Sequence, residues 1–521
     1  MHNVEAVLAL VVMAILVAAV AGRLRTPAPS LLVVAGLGIG FLPGVSAVHL
    51  SPDLVTLGVL PPLLFSAAEQ ISLADLRQVW RPVTVLAVVL VLVTAVAVAA
   101  VTHAVDASIT GAVAFTFGAV LASTDPVAVT ALSRELRLPA RVATLVQAES
   151  LFNDATSLVL FEVAVAAAVG GRVTAGGAVW HFLELGVGGI GVGLLTGVLA
   201  GASLRRTHDP VSQAAIALVT PYVAAVAAHA VHVSPVTAVI VAGLMLGRRR
   251  VRSRQPEGRL VATSVYEVVV FVLESAVFAV IGLELATFIR ELPRADQRTT
   301  VVLLFVVTLT LLAVRAAALA VPVLVPGGRT GPGSRGRAQW RVAAVVTWAG
   351  ARGVIPLAAA LSIPATTNTG APFPHRAMLL VTATGVVVIT LVVQGTTLAP
   401  LVRRLGVTTT STDLANELVL ARHALAIAAL DRLDGLADNV EAPRSTVDRI
   451  RAELQEQIDA NRYVVETDEP PNGDSAATLR SSVLEVQAEE LARLRLAGDI
   501  SAAAFRHVQR QLDIEHTRSQ D

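Results

Sequence analysis

The sequence predicts an all-α polytopic membrane protein with about 13 transmembrane helices and a helical tail at its C-terminal end. Three observations predict this class. Of the 521 residues, 54% are apolar and only 15% are charged, which is too apolar for an ordinary soluble protein. The apolar residues come in blocks of roughly twenty, the length that a helix needs to cross a bilayer. Beyond residue 406 the pattern becomes polar and amphipathic, which indicates a separate region outside the membrane.

Each apolar block is predicted to be one membrane span. The first block lacks a basic leader and is too long for a signal peptide, so we expect it to be retained. The chain contains no cysteine, which excludes disulfides and thiolate metal sites. The predicted spans are 4–22, 30–42, 54–71, 82–105, 109–133, 140–169, 180–203, 211–231, 235–247, 264–289, 299–325, 340–364 and 376–402.

Arginine placement predicts the orientation of these spans. The loops after odd-numbered spans, together with the end of the last span, contain 21 arginines, and the loops after even-numbered spans contain 5. Because basic residues are retained on the cytoplasmic side, we expect the N-terminus outside and the tail in the cytoplasm. The predicted location is the plasma membrane, with multiple passes.

The chain is predicted to have two parts, a transmembrane domain (1–406) and a cytoplasmic, mainly helical tail (407–521). Tail helices are predicted near 412–437, 444–464 and 476–515, with a turn at 470–474. Residues 408–521 contain 12 arginines and 21 acidic residues, so nothing indicates nucleic acid as a partner. Regulation, dimerisation and a simple solvated appendage remain open roles for the tail.

The stretch LASTDPVAV (121–129) lies in the middle of span 5 and is predicted to interrupt its helix. Pro126 removes a backbone hydrogen bond, so the helix should unwind around Thr124 and Asp125. Irregular backbone at membrane depth is tolerated only inside protein or beside a watery cavity. Freed carbonyl groups next to a carboxylate suit a small, hard cation.

The stretch ESLFNDATS (149–157) places several polar groups inside span 6. Ser150 and Asp154 are four residues apart and share one helix face, whereas Glu149 and Asn153 form a neighbouring stripe. Ionisable residues within a membrane indicate a functional site unless they are paired or near a helix end. We therefore expect Asp154 and Ser150 to present oxygen atoms together, and Glu149 to have another partner.

A second interrupted helix is predicted at TWAGARGVIPLAAAL (347–361) in span 12. Gly350, Gly353 and Pro356 mark the break, and Arg352 lies at it. Paired interrupted helices in the two halves of a membrane domain indicate the central site of a secondary transporter.

Arg315 in span 11 needs a buried anion, because a guanidinium does not lose its proton. Glu149 is the predicted partner, and such a pair predicts a structural role. Glu69 in span 3 and Glu274 in span 10 are left without an assigned partner. Glu69 fits a helix-end residue as well as it fits a site residue.

Six stretches occur in one order between residues 123 and 406, within a similarity that extends over nearly all of residues 50–406. They are STDPVAV, ESLFNDATSLVLF, TPYVAAVAA (220–228), FAVIGLEL (278–285), TWAGARGVIPLAAAL and TLVVQGTTLAPLVRRLG (390–406). Together they resemble the monovalent cation:proton antiporter 1 family, the sodium/proton exchangers of bacterial NhaP and animal NHE type. The tail is not assigned to a family.

The resemblance implies an antiporter fold with inverted repeats and two crossed broken helices, a homodimer, and alternating access. It implies a transporter rather than an enzyme, with no cofactor, that exchanges H⁺ for Na⁺, Li⁺ or K⁺. The cation-site residues that it implies are Asp154, Asp125, Thr124 and Ser150. The supporting residues are Asn153, the core ion pair Glu149–Arg315, and Arg352 at the second helix crossing. Glu69 lies one turn beyond the position where the family often has a Glu, so we include it as a further candidate ligand.

These expectations give an electroneutral exchanger in which a proton and a cation compete for Asp154. The partners would be the two ions, the lipid bilayer and a second copy of the chain. A K⁺/H⁺ antiporter of the same fold and a cation channel remain alternatives. An intramembrane hydrolase is a third, because Asp125 and Asp154 could imitate an aspartyl dyad.

Overall fold

The structure is a computed structural model that describes residues 12–13, 15–17, 19–21, 28–42, 54–125, 140–170, 175–207, 209–250, 256–324, 334–407, 411–440, 443–459 and 474–520. Within these ranges the regular secondary structure is helical, and the one β interaction is an isolated bridge between Thr366 and Pro372. The predicted all-α class is confirmed.

The helices of the apolar region, numbered in chain order, overlap the predicted spans from 30–42 onward, and span 12 is divided between two helices. They are α1 (Ala28–Gly40), α2 (Leu60–Gln70), α3 (Leu73–Val105), α4 (Gly111–Leu121), α5 (Ala140–Ala168), α6 (Ala175–Arg206), α7 (Pro210–Ala230), α8 (Pro235–Arg250), α9 (Pro256–Glu291), α10 (Arg294–Leu324), α11 (Ser334–Trp348), α12 (Val354–Leu361) and α13 (Arg376–Leu405).

Seven of these helices are long and apolar enough to cross a membrane, judged by length and composition, and α1, α4 and α8 are shorter apolar helices. The first predicted span, 4–22, lies partly outside the described residues, and its described positions between 12 and 21 are helical. Three π-helical segments interrupt the regular pattern: Leu54–Val59 before α2, Val85–Val89 inside α3, and Thr390–Gln394 inside α13.

Helix ends follow local capping chemistry. The Ser72 hydroxyl accepts the Ala74 and Asp75 amide N–H groups at 3.2 and 3.5 Å, which caps the start of α3. Asp209 caps α7 by accepting the Ser212 amide at 2.8 Å. At the end of α13, Gly406 adopts φ 63°, a left-handed conformation that glycine takes without steric cost.

The apolar helices form two bundles. The crossing bundle contains α3, α4, α5 and α10–α13, and the flanking bundle contains α1, α2 and α6–α9, with most helix contacts inside one bundle or the other. A buried apolar cluster joins them and includes Phe65 of α2, Phe278 of α9 and Leu357 of α12.

Within the flanking bundle, α1 and α9 pack with their backbones in contact. A Cβ added to Gly36 would overlap the Ala279 carbonyl, and one added to Gly282 would overlap the Val33 carbonyl. Glycine is required at both positions, because any side chain would push the two helices apart.

The tail forms a small helical unit made of α14 (Ser411–Val440), α15 (Arg444–Asp459), α16 (Asp474–Ala497) and α17 (Ala502–Gln520). The prediction of one helix over 476–515 is wrong. Gly498 adopts φ 86° and ends α16, and Ser501 starts α17 by accepting the Ala504 amide at 3.2 Å. The predicted turn at 470–474 lies mostly outside the described residues.

Candidate functional site

The two predicted interruptions are present and meet at Asp125. Helix α4 ends at Leu121, α11 ends at Trp348, and α12 begins at Val354. The Asp125 amide donates to the Ala351 carbonyl at 2.8 Å, and the Val354 amide donates to Asp125 Oδ2 at 3.3 Å. The Asp125 carboxylate therefore lies at the N-terminus of α12, where unpaired amide groups and the helix dipole favour an anion. Pro126 lies outside the described residues.

Helix α5 contacts the first interruption along the predicted face. The Ser150 hydroxyl donates to the Thr124 carbonyl. Asn153 forms two hydrogen bonds with Thr124: its Nδ2 donates to Thr124 Oγ1 at 2.7 Å, and its Oδ1 accepts the Thr124 amide at 3.3 Å. Asp154 is buried one residue further on, with 4% of its surface exposed. The structure thus brings Thr124, Asp125, Ser150 and Asp154 together, with Asn153 fixing the loop.

Glu149 and Arg315 form the predicted buried ion pair. Arg315 Nη1 and Nη2 donate to the two carboxylate oxygens of Glu149 at 2.5 and 3.0 Å, and Arg315 Nε donates to the Val346 carbonyl at 3.1 Å. Both side chains are almost completely buried. Each charge is compensated by the other in this bidentate geometry. The Glu149 carboxylate therefore connects α5 to α10 and has no oxygen atom without a hydrogen bond.

Arg352 lies at the second interruption, as predicted, and is buried. Its amide donates to Thr390 Oγ1 at 3.1 Å, in the π-helical segment of α13, and its Nη1 donates to the Gly350 carbonyl at 3.0 Å. Its guanidinium interacts electrostatically with Asp154 and Glu149. A positive charge therefore lies beside Asp154.

Two glycines make this crossing sterically feasible. A Cβ on Gly353 would overlap the Asp125 carboxylate, and a Cβ on Gly350 would overlap the Arg315 guanidinium. The sequence marked both glycines as helix breakers only. Their second role, leaving space for a charged side chain of another helix, depends on contacts that no local pattern reveals.

Of the other carboxylates in the membrane helices, one interacts with the site. Glu274 of α9 interacts electrostatically with Asp125. Glu69 lies at the end of α2, where its backbone packs against Gly247 of α8 within the flanking bundle. Glu162 was missed by the sequence analysis, although LVLFEVAV places it two turns beyond Asp154 on α5. Its side chain is on the exposed surface of the helix.

Two helical bundles, with a buried carboxylate site at the crossing of two interrupted helices, define a secondary active transporter. A solved structure shares this fold: the chain is similar to the sodium proton antiporter MjNhaP1 of Methanocaldococcus jannaschii, with a TM-score of 0.63, 19% identity, and coverage of 78% of this chain and 99% of that one.

The sequence comparisons identify the family. The family profile described as "Sodium/hydrogen exchanger, transmembrane" matches residues 8–404, so the chain belongs to the Na⁺/H⁺ exchanger family, and the suggested resemblance is confirmed. A protein of Mycobacterium tuberculosis (strain H37Rv), named an uncharacterized Na⁺/H⁺ exchanger, is 32% identical over 99% of this chain and 96% of its own length. A Bacillus pumilus protein named a sodium, potassium, lithium and rubidium/H⁺ antiporter is 28% identical over 82% of this chain and 66% of its own length.

Proposed function

We propose that the protein exchanges one monovalent cation for one proton at Asp154, with Na⁺ as the principal cation. The observation that carries the proposal is the position of Asp154, buried beside Asp125, Ser150 and the unwound Thr124 segment. Carboxylate, hydroxyl and carbonyl oxygens are ligands for a hard cation. The proposed shell is the side chains of Asp154, Asp125 and Ser150 with the Thr124 carbonyl, and Glu69 is a weaker candidate because its backbone packs within the flanking bundle.

Competition between the two ions gives coupled exchange. A buried carboxylate is poorly solvated and favours a bound proton or cation over a bare charge. If the site crosses the membrane only when it is loaded, each cation moved one way returns a proton the other way. The crossing bundle would carry the site past the flanking bundle, exposing it to alternate sides.

A single titrating carboxylate would make the exchange electroneutral. Asp125 accepts the Val354 amide at the N-terminus of α12, which favours its ionised form. Asn153, the neighbour of Asp154, does not titrate. The nitrogen and the oxygen of its side chain are both hydrogen-bonded to Thr124. We therefore assign the proton cycle to Asp154 and a constant negative charge to Asp125.

K⁺/H⁺ exchange at the same site is the second candidate. The Bacillus pumilus relative is named for sodium, potassium, lithium and rubidium, and oxygen ligands bind all four ions. A cation channel is a weaker alternative, since a buried carboxylate at two interrupted helices suits alternating access better than an open pore.

The remaining assignments rest on arginine placement and the polarity of the tail. We propose a plasma-membrane protein with its N-terminus outside and a cytoplasmic tail, divided near residue 406 into a transport domain and a tail. We also propose a homodimer, as the family resemblance implies.

The test is cation-driven proton movement in proteoliposomes that contain the purified protein and an internal pH dye. Na⁺, Li⁺, K⁺ and choline are added to vesicles with a preset pH gradient, at several pH values. Exchange predicts dissipation of the gradient with Na⁺ and none with choline. A lack of response to every alkali cation, or ion fluxes without coupled proton movement, would contradict the proposal.

A further inference from the structure

Among the described residues of the first interruption, 122–125, the Ser123 hydroxyl is the polar side-chain group that the mechanism leaves unused. Ser123 has no exposed surface, and its Oγ forms no hydrogen bond. The hydroxyl interacts with the Asp154 carboxylate, although the pair does not meet the geometry of a hydrogen bond. Its two successors, Thr124 and Asp125, both have bonded partners.

A buried hydroxyl without a partner costs folding free energy, and an alanine at the same position would avoid that cost. We propose that Ser123 is a further oxygen ligand of the cation at Asp154 and that it helps to set cation affinity. This inference rests on the exchange function proposed above.

The hydroxyl suits both states of the site because it is a donor and an acceptor. When Asp154 binds a cation, a Ser123 lone pair can complete the oxygen shell. When Asp154 is protonated, its O–H can donate to the same Ser123 oxygen. Removing the hydroxyl costs the cation one ligand, whereas the proton keeps its covalent bond to the carboxyl.

The test compares Ser123→Ala with Thr102→Val, a matched control. Thr102 of α3 is also fully buried and has an Oγ1 without a hydrogen-bond partner. We expect Ser123→Ala to raise the KM for Na⁺ roughly tenfold with little change in maximal rate. Both variants should melt at or above the wild-type temperature, because each loses an unpaired buried hydroxyl.

A KM for Na⁺ in Ser123→Ala equal to that of wild type or of Thr102→Val would overturn the assignment. A wild-type protein without any cation-driven proton movement would instead contradict the proposed function. The two failures are therefore distinguishable.

A separate observation concerns the tail, which contacts the crossing bundle through the corner between α16 and α17 and the flanking bundle through α17. Arg495, in the last turn of α16, forms an ion pair with Asp75 of α3, and both side chains are largely buried. Arg495 Nη1 also donates to the Ile500 carbonyl at 2.6 Å. Gly498 lies against Gln78 of α3, so the corner packs on the crossing bundle.

The second contact of the same unit is with the other bundle. Helix α17 packs against α9, which belongs to the flanking bundle. The tail therefore links two bodies whose relative movement carries the site across the membrane in the proposed mechanism. A link between them must be broken or deformed in each transport cycle.

We propose that the tail is a brake on exchange, and that the Arg495–Asp75 pair fastens it to the crossing bundle. The pair suits this role because a buried arginine without its anion is an uncompensated charge, which strongly disfavours the docked position of the corner. Docking is then a two-state contact, and any effector that undocks the corner would raise the exchange rate.

The first test removes the charges of the Arg495–Asp75 pair one at a time, in full-length protein reconstituted in proteoliposomes. Asp75→Asn and Arg495→Gln should each raise the exchange rate at least about fivefold. The charge-swapped double variant, Asp75→Arg with Arg495→Asp, should lower it again. The control is Arg432→Gln, which breaks the exposed Arg432–Glu489 pair inside the tail and should leave the rate unchanged.

A covalent link provides the second test and does not depend on the charge variants folding well. The chain has no cysteine, so Gln78→Cys with Asp499→Cys introduces the only thiols. A short, cleavable bis-maleimide should then slow exchange, and cleavage of the linker should restore it. Full exchange in the crosslinked protein, or unchanged or lower rates in both charge variants, would overturn the brake.

Discussion

Glu149 and Asp154 lie on the same helix, five residues apart, and both are almost completely buried, with 1% and 4% of their surfaces exposed. They differ in what surrounds them. Glu149 receives two hydrogen bonds from the Arg315 guanidinium. Asp154 has the Asp125 carboxylate, the Ser123 hydroxyl and the Arg352 guanidinium as its electrostatic neighbours.

In the proposed mechanism, this difference separates a structural charge from an exchangeable one. A carboxylate with a bidentate arginine keeps one ionisation state and one geometry. A carboxylate that faces a second carboxylate and hydroxyl groups gains by taking up a positive ion, whether a proton or a metal cation. Burial alone therefore does not distinguish the two carboxylates, whereas their partners do.

The largest expected effect is on transport by Asp154→Asn. The amide is nearly isosteric with the carboxyl but neither exchanges a proton nor supplies a charged ligand, so we expect no measurable exchange from a folded protein. Proteoliposome exchange and a thermal melt are the measurements, with Glu162→Gln, on the exposed surface of the same helix, as the control. Near wild-type exchange by Asp154→Asn would remove this residue from the site.

Next in size is Gly353→Ala, which tests the geometry around Asp125. The added Cβ would overlap the Asp125 carboxylate, and misplacing a ligand by about 1 Å can cost roughly 100-fold in rate. We expect exchange to fall by about that factor. Gly38→Ala on α1, where a Cβ meets nothing within 4 Å, should retain exchange. Equal activity of the two variants would contradict the proposed role of Asp125.

Substitutions in the Glu149–Arg315 ion pair should lower the stability of the fold more than they alter the chemistry of exchange. Glu149→Ala or Arg315→Ala leaves a buried charge without its partner, at a cost of roughly 3–5 kcal/mol. A double substitution, Glu149→Leu with Arg315→Met, should be more stable than either single alanine variant, as measured by thermal unfolding in detergent. Losses that simply add up would show that the two residues do not act as a pair.

The smallest expected effect is that of membrane voltage, which should not alter the exchange rate. With Asp125 permanently charged and residue 153 an amide, one proton leaves for each cation that binds. The measurement is exchange at potentials clamped with potassium and valinomycin, provided that K⁺ is not itself transported. A rate that follows the imposed voltage would mean that a second group, most simply Asp125, also cycles its proton.

Several parts of the site could be predicted from the sequence because they depend on local chemistry. Pro126 and the glycines at 350 and 353 predicted both interruptions, and the structure shows them at residues 122–125 and 349–353. The partner of Arg315 was predictable because few other buried anions were available. The tail helix over 476–515 was mispredicted, because Gly498 ends α16 in a left-handed conformation that helical periodicity alone did not indicate.

The sequence by itself determined the helical membrane class, the approximate ends of the helices and the positions of the two breaks. These depend on hydropathy over about twenty residues and on single prolines and glycines. Only the tertiary structure decided which groups meet: Val354 with Asp125, 229 residues away, and Glu149 with Arg315, 166 residues away. It also brought Arg495 of the tail to Asp75 of α3. Such contacts depend on how whole helices pack, and neither spacing nor composition encodes that packing locally.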